Sequence, residues 1–399
     1  MIALWPKRKR KRLDPTAARP LDKTVRKLPF FLGLGVVALA AVFLAGCQKK
    51  ADTIKIGLAG AQTGSDGQIG VSMLNGSKIA IEEWNAKGGV LGKQIETIAL
   101  DDEAKGDKAV TIAQSLVDDG VVAVIGHFNS SCTIPASRVY NGAKVLEITP
   151  GSTNPLYTEQ GFPDAFRICG RDDQQGSAAA AFLHDQMHFN KIAILDDKTT
   201  YGQGIADEIK KTFESKGGQA VVYQGIGKDD SDYRANIDVV KGSGAEALVW
   251  GGMYAQAGPL FVQLRQSGVT IPFISDDGAF DQAFIDTIGA NPPNVYLTFA
   301  QDYSGLPAAQ DFAKKYEARF GQKEGAYSVY GYDAANVILT AMQEAGTTDA
   351  DKVSAVLKSH PFDTILGKIE FDSKGDLKEA DYVIWTIKDG KFVVLPGNP

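Results

Sequence analysis

Two hydrophobic periods take turns along most of this chain. Residues 53–58 alternate β-branched and small positions and run into a loop over 59–70 rich in Gly, Ser and Asp, which predicts a strand and then a loop. Residues 73–84 carry apolar side chains at helical spacing and stop at Lys87, Gly88 and Gly89, as helices do. The alternation continues through strand 94–100, helix 107–118, strand 121–125, helix 134–141 and strand 144–148. Strands and helices in strict succession predict a parallel sheet covered by helices.

A second series of the same kind begins after Arg171. It reads as helix 174–188, strand 191–195, helix 201–216, strand 219–225, helix 233–241, strand 247–250, helix 256–266 and strand 271–275. A strand at 295–299 and helices at 308–320 and 326–344 follow. Short antiparallel strands near 368–371, 382–387 and 391–394 come last, the final two joined by a hairpin turn at 388–390. Two doubly wound sheets fit this length better than one very large sheet.

The first 46 residues obey neither period. Basic residues at 7–12 and Arg26 and Lys27 precede an apolar run over 28–44, the order of a secretory signal, and the run is short for spanning a bilayer. Leu44-Ala45-Gly46-Cys47 resembles a bacterial lipobox, in which the thiol receives diacylglycerol. The expectation is a signal peptide over 1–46 and a lipidated spacer over 47–52. Cys47 would be the lipidation site and would tie an exported protein to a membrane.

Charge separates the two parts. Residues 1–46 hold ten basic and two acidic residues, which leaves 32 basic against 46 acidic beyond them, a net charge of −14. A chain so acidic repels nucleic acid, and that class of partner is excluded. With Cys47 assigned to lipid, Cys132 and Cys169 are the sole possible pair among three cysteines, and nothing in their spacing requires a disulfide. The absence of a CxxC motif and the scatter of four histidines argue against a structural zinc site. No metal or cofactor is expected.

Motifs that suggest catalysis weaken on inspection. His184 and His188 stand at i and i+4 like the HExxH zinc signature, but Asp185 replaces its Glu and is too short to reach the same water. Gly202-Gln203-Gly204 opens a helix after a strand without the third Gly of a dinucleotide fingerprint, since position 207 is Asp, so helix packing is the expected role. There is no GxxxxGK loop and no GxSxG elbow. Acidic doublets such as Asp118-Asp119 and Asp229-Asp230 read as solvated faces.

Two loops, 126–133 and 149–155, stand out. Each follows the carboxyl end of a predicted parallel strand, where ligands of open α/β sheets bind, and each is dense in hydroxyls and free backbone N–H groups. Such groups at a helix N-terminus favour an anion such as a carboxylate, although Ser130 and Thr153 could equally serve as helix caps.

At these loops the chain resembles the periplasmic leucine/isoleucine/valine-binding family of ABC importers. The resemblance lies in Val124-Ile125-Gly126-His127 through Ala136-Ser137, in Ile148 through Pro155, and in Asn85-Ala86-Lys87-Gly88-Gly89. It extends to Asp196-Asp197-Lys198 with Tyr201-Gly202, to Arg167 with Asp172 and Gln175-Gly176, and to Phe371-Asp372 with Lys374-Gly375-Asp376. It covers essentially the whole chain after the signal, in order.

The resemblance implies a type I periplasmic-binding-protein clamshell, two doubly wound parallel-sheet lobes joined by a three-strand hinge near Arg171, Ala300 and Ala380. The N-terminal lobe would take 53–171 and 300–380, and the C-terminal lobe 172–299 and 381–399. It implies a ligand carboxylate held at Ser130 with help from the Thr153 N–H. The ligand ammonium would meet the Gly151 carbonyl, the Thr153 hydroxyl and Asp277, and Tyr201 would close over the ligand. Ile69, Phe128, Asn129, Ser152, Met253 and Tyr327 would line the side-chain pocket.

Several positions depart from the family pattern. The second-lobe acid is often Glu and here is Asp277. Ile69 replaces a Tyr frequent in the first loop, Met253 stands where an aromatic is common, and Ala104 and Asn129 occupy the places of cysteines paired in some members.

The function expected on these grounds is that of an extracytoplasmic substrate-binding component. It would capture an aliphatic, branched-chain amino acid as a monomer and deliver it to the membrane subunits of an ABC permease, with no covalent chemistry. A ligand touching both lobes stabilises the closed state by its differential affinity. A receptor for an amide, urea or aromatic acid on the same fold is the alternative, favoured by the polar Asn129 and opposed by Asp277. A secreted hydrolase using Ser130 or His127 is a third reading, for which the sequence offers neither a base nor an orienting partner.

Overall fold

The structure, a computed structural model, describes residues 52–397, so the predicted signal peptide, Cys47 and all of the spacer but Asp52 lie outside the described residues. Strands β1 (Ile54–Gly60), β2 (Ile95–Asp101), β3 (Ala123–Ile125), β4 (Leu146–Thr149) and β5 (Ala165–Arg167) form an all-parallel sheet in the order β2-β1-β3-β4-β5. β3, β4 and β5 are buried throughout and β1 nearly so, because helices cover both faces of a parallel sheet. The strand order reverses between β1 and β3, which opens a crevice beyond the carboxyl ends of these strands.

The second sheet contains β6 (Lys191–Asp196), β7 (Gln219–Gly225), β8 (Ala247–Gly251), β9 (Phe273–Ser275) and β10 (Val295–Ala300). A small hairpin of β11 (Phe362–Thr364) and β12 (Gly367–Ile369) precedes β13 (Tyr382–Lys388) and β14 (Lys391–Val394), which complete that sheet. Its order is β14-β13-β10-β9-β8-β6-β7, parallel from β7 to β10 and antiparallel at β13 and β14. A second reversal of strand order lies between β6 and β8.

The helices after β10, Pro307–Phe320 and Ser328–Ala345, return to pack on the helix Gly67–Ala86 beside the first sheet, and β13 then rejoins the second. Glycine permits the closest of these contacts. A Cβ on Gly76 would stand 1.9 Å from the Ser328 carbonyl oxygen, and one on Gly331 would stand 2.0 Å from that of Met73. The Ser77 hydroxyl donates to the Gly331 carbonyl at 2.9 Å across the same crossing.

The differences from the pattern have local causes. The helix expected over 134–141 begins at Ser130 and carries Pro135 inside it, where the proline gives up the backbone bond to the Ser131 carbonyl. The helix expected over 174–188 runs Asp172–Ala181 and ends in one π turn, Phe182–Gln186, so His184 and His188 do not share one α-helical face. β5 and the helices Gln282–Ile288 and Ala350–Leu357 are too short to show a period. No helix among the described residues is long and apolar enough to cross a membrane.

Candidate functional site

The carboxyl ends of β3 and β4 carry the two loops singled out above. Thr149 joins them: its hydroxyl donates to the His127 carbonyl at 2.6 Å and accepts the backbone N–H groups of Gly151 at 3.3 Å and Ser152 at 3.0 Å. Ser130, the first residue of the helix Ser130–Gly142, accepts the Ser152 hydroxyl at 3.2 Å and the Asn154 N–H at 3.4 Å. The fully buried Arg167 fixes the loop from behind. Its guanidinium donates to the carbonyls of Ser152 at 2.8 Å and Asn154 at 3.0 Å, and meets Asp376 at 2.6 Å.

The opposite wall comes from the second sheet. Asp277 sits in a single 3-10 turn after β9, and its two oxygens accept the hydroxyls of Tyr201 and Tyr327, each at 2.6 Å. The Gly278 N–H donates to the Tyr201 hydroxyl at 2.9 Å. Burial raises the Asp277 carboxyl above the ordinary carboxylate range, against the pull of those two hydroxyls. Asp276 beside it is raised too, by burial and by the Asp277 charge.

These walls enclose a cavity of about 10 Å³. Phe128, Asn129, Ser130 and Gly151 line it from the first sheet's loops, Tyr201, Met253, Asp277 and Gly278 from the second's, and Tyr327 from the start of the helix Ser328–Ala345. The Phe128 and Tyr327 rings meet edge to face at 4.8 Å. A Cβ on Gly151 would stand 2.5 Å from the Phe128 ring, so only Gly leaves that ring its place. A larger open groove of about 870 Å³, with Gln68, Phe280, Trp385 and Lys391 among its walls, contains none of the expected ligand-binding residues.

Three expected residues fall outside the cavity. Ile69 is buried in the hydrophobic core and is not among the residues that line the cavity. Ser152 stands behind Ser130 and reaches the cavity only through that hydroxyl. Thr153 lies against Asp172, yet neither its hydroxyl nor either Asp172 oxygen has a well-formed hydrogen bond, and burial pushes the Asp172 carboxyl up to about 8. Gly278 was not anticipated, because a backbone N–H at a turn leaves no mark in a hydrophobic pattern. Asp66 was not either: it accepts the Asn129 amide at 2.9 Å and pairs with Lys228 at 3.0 Å.

Other direct contacts join the two sides. The Tyr254 hydroxyl donates to the Ser65 carbonyl at 2.7 Å, the Asn154 side-chain amide to the Thr200 carbonyl at 2.9 Å, and the Gln68 amide to Asp281 at 3.3 Å.

Chemically, the cavity sets hydroxyl and N–H groups at a helix start against a buried carboxylate, an arrangement matched to a small zwitterion. It is poorly suited to nucleophilic attack. The ring nitrogens of His127 are occupied by Asp102 at 2.6 Å and the Tyr140 hydroxyl at 3.1 Å, and no histidine contacts Ser130 among the described residues. Cys132 and Cys169 are buried free thiols, and burial pushes the Cys169 thiol up to about 12. No group of His, Cys, Asp and Glu among the described residues could hold a metal ion.

The periplasmic binding protein family matches residues 53–391. An amino acid binding protein of Pseudomonas aeruginosa is 40% identical over 367 residues, covering 91% of this chain and 98% of that protein. The Leu/Ile/Val-binding protein homolog 1 of Brucella abortus is 38% identical over 360 residues, 89% of this chain and 96% of that one. Among solved structures, the branched-chain amino acid transporter substrate binding protein LivJ of Streptococcus pneumoniae, in complex with isoleucine, aligns with a TM-score of 0.78 at 25% identity. It covers 87% of this chain and is itself covered completely.

Proposed function

The chain belongs to the periplasmic binding protein family and is a substrate-binding protein of that type, and from this premise we propose that it captures an aliphatic amino acid, leucine, isoleucine, valine or a near relative, for an ABC permease. The observation that carries this reading is the placement of Ser130 and Asp277 on opposite walls of one enclosed cavity. The ligand carboxylate takes the hydroxyl and N–H groups around Ser130. The ammonium takes Asp277, displacing a tyrosine hydroxyl. A cavity of about 10 Å³ admits no amino acid until its walls part. In our reading 53–171 with 300–380 and 172–299 with 381–399 are the two lobes that move, about crossings near Arg171, Ala300 and Ala380.

The protein acts by capture alone, as a monomer, a reading supported by a serine that no base touches. Export and attachment through a lipid on Cys47 complete the proposal. Mass spectrometry of the mature N-terminus should find a diacylated Cys47 and, in Cys47→Ser, none; an unmodified N-terminus elsewhere removes the anchor.

Calorimetric titration with the common amino acids, their amides and aromatic acids tests the ligand class. Saturable binding of aliphatic amino acids is expected, and a preference for an amide over every amino acid refutes the reading. Ser130→Ala should weaken that binding by about 1 to 3 kcal/mol, the effect of removing a hydrogen bond to a buried charge. If Ser130 served only to cap its helix, the apo protein would melt lower and the affinity would stay unchanged.

A further inference from the structure

We propose that Asn129 makes this site selective for an amino acid with a hydrogen-bond donor on its β carbon, so that threonine is preferred to its isostere valine; the inference rests on the amino-acid reading above and refines it.

Asn129 lines the cavity and is only 9% exposed. Its side-chain amide nitrogen donates to Asp66 Oδ2 at 2.9 Å. Asp66 is itself held by Lys228 at 3.0 Å and by the Ser65 hydroxyl at 2.8 Å. This fixes which way the amide points, because the opposite rotamer would set its carbonyl oxygen against a carboxylate. The oxygen, Oδ1, is therefore committed to the other end, where it is buried and has no hydrogen-bond partner.

The cavity walls offer that oxygen no donor. The hydroxyls of Tyr201 and Tyr327 both donate to Asp277. Ser130 already gathers the Ser152 hydroxyl and the Asn154 N–H, and it belongs to the end assigned to the ligand carboxylate. Of the remaining lining, the Gly151 N–H donates to Thr149 and the Gly278 N–H to the Tyr201 hydroxyl, and the side chains of Phe128 and Met253 are apolar. One fixed acceptor among apolar surfaces matches a side chain that carries a hydroxyl and a methyl on the same carbon. A valine methyl in the hydroxyl's place strips water from Oδ1 and returns nothing. A buried acceptor left unpaired in this way is the basis on which hydrogen-bonding sites reject analogues that lack the donor.

Calorimetric titration of the full chain with L-threonine, L-valine, L-allo-threonine and L-alanine reads this directly. In the wild type, threonine should bind at least about tenfold more tightly than valine. L-allo-threonine, which exchanges the positions of hydroxyl and methyl, should lose most of that advantage. In Asn129→Leu the threonine-to-valine ratio should invert. Any general loss from releasing Asp66 cancels in that ratio, and alanine, which carries neither group, reports the loss separately. The allo-threonine comparison needs only the wild type, so the proposal stays testable if the variant does not fold. Equal affinity for threonine and valine in the wild type, or an unchanged ratio in Asn129→Leu, overturns it. Tight binding of leucine or valine with weak threonine leaves the amino-acid reading standing and overturns only this refinement. Binding of an amide or aromatic acid in place of every amino acid overturns both.

Discussion

Asp277→Asn is expected to weaken amino-acid binding by roughly two to four decades in Kd while the fold survives. An ammonium enclosed between the walls loses its water and needs an anion, and one member of a buried pair left uncompensated costs about 3 to 5 kcal/mol. The fold survives because burial already disfavours the Asp277 charge. Because its folded pKa is raised above the unfolded one, the stability contributed by the protonated Asp277 is complete below the ordinary carboxylate pKa and is lost as pH rises through the raised folded value. The substitution should therefore flatten the decline of the apo melting temperature that begins as pH rises above the ordinary carboxylate pKa. Binding runs the other way: wild-type affinity should fall toward acid, as protonation of Asp277 removes the anion, and Asp277→Asn should lose that dependence. Titrations across pH and α-keto analogues of the bound amino acid check both points. Leucine binding by Asp277→Asn at wild-type strength would refute the ammonium contact.

Arg167→Met is expected to be the most damaging change to stability around the site. Its guanidinium lies fully inside the protein and serves Asp376, two loop carbonyls and the Thr158 hydroxyl at once. Burial alone would raise the Asp376 carboxyl, but Arg167 and Arg171 hold it below the usual range. That stability is present above the ordinary carboxylate pKa and lost as pH falls through the depressed one. Methionine fills much of the volume but strips Asp376 of its buried partner and leaves the carbonyls of Ser152 and Asn154 with only the Cys169 thiol at 3.5 Å and the Tyr157 N–H at 3.2 Å. A loss of about 3 to 5 kcal/mol follows, or roughly 10 °C in Tm, and affinity should fall with it because those carbonyls set the loop beside Ser130. Thermal melts with and without ligand, alongside Arg167→Lys as the conservative control, measure the two effects. A variant that melts and binds like the wild type would show that the loop is held by other contacts.

Most of the strands and helices were legible because their burial is one-sided or complete over six or more residues, long enough for a period to appear. β5 was not: β3 and β9 are as short and as buried, but β5 follows Pro163 and Asp164 and ends on the charged Arg167, so no apolar run marks it. The site was legible to the extent that it sits where chain topology dictates, at the carboxyl ends of β3 and β4, and there the hydroxyl-rich loops were visible without a structure. What the pattern could not supply was direction. Ile69 and Asn129 both stood at places where the family pattern changes, yet only Asn129 lines the cavity: Ile69 lies inside the first turn of the helix that begins at Gly67, whereas Asn129 precedes its helix in extended backbone. Thr153 has its hydroxyl toward Asp172, and of its loop Gly151 is the residue that reaches the cavity wall.

The contacts that bridge the two sides without passing through the cavity bear on traffic at the membrane. Lys228 with Asp66, Tyr254 with Ser65, Asn154 with Thr200 and Gln68 with Asp281 are made by the protein alone. On the lobe movement proposed above, each favours the shut form whether or not cargo is inside, which makes shutting an intrinsic equilibrium that cargo biases and does not create. A transporter that recognises only the shut outline would then be visited by empty carriers, in proportion to the idle shut fraction. Its discrimination between full and empty carriers is limited by the ratio of cargo affinities for the shut and open forms. Weakening any one bridge would raise that contrast, at the expense of apparent affinity for cargo.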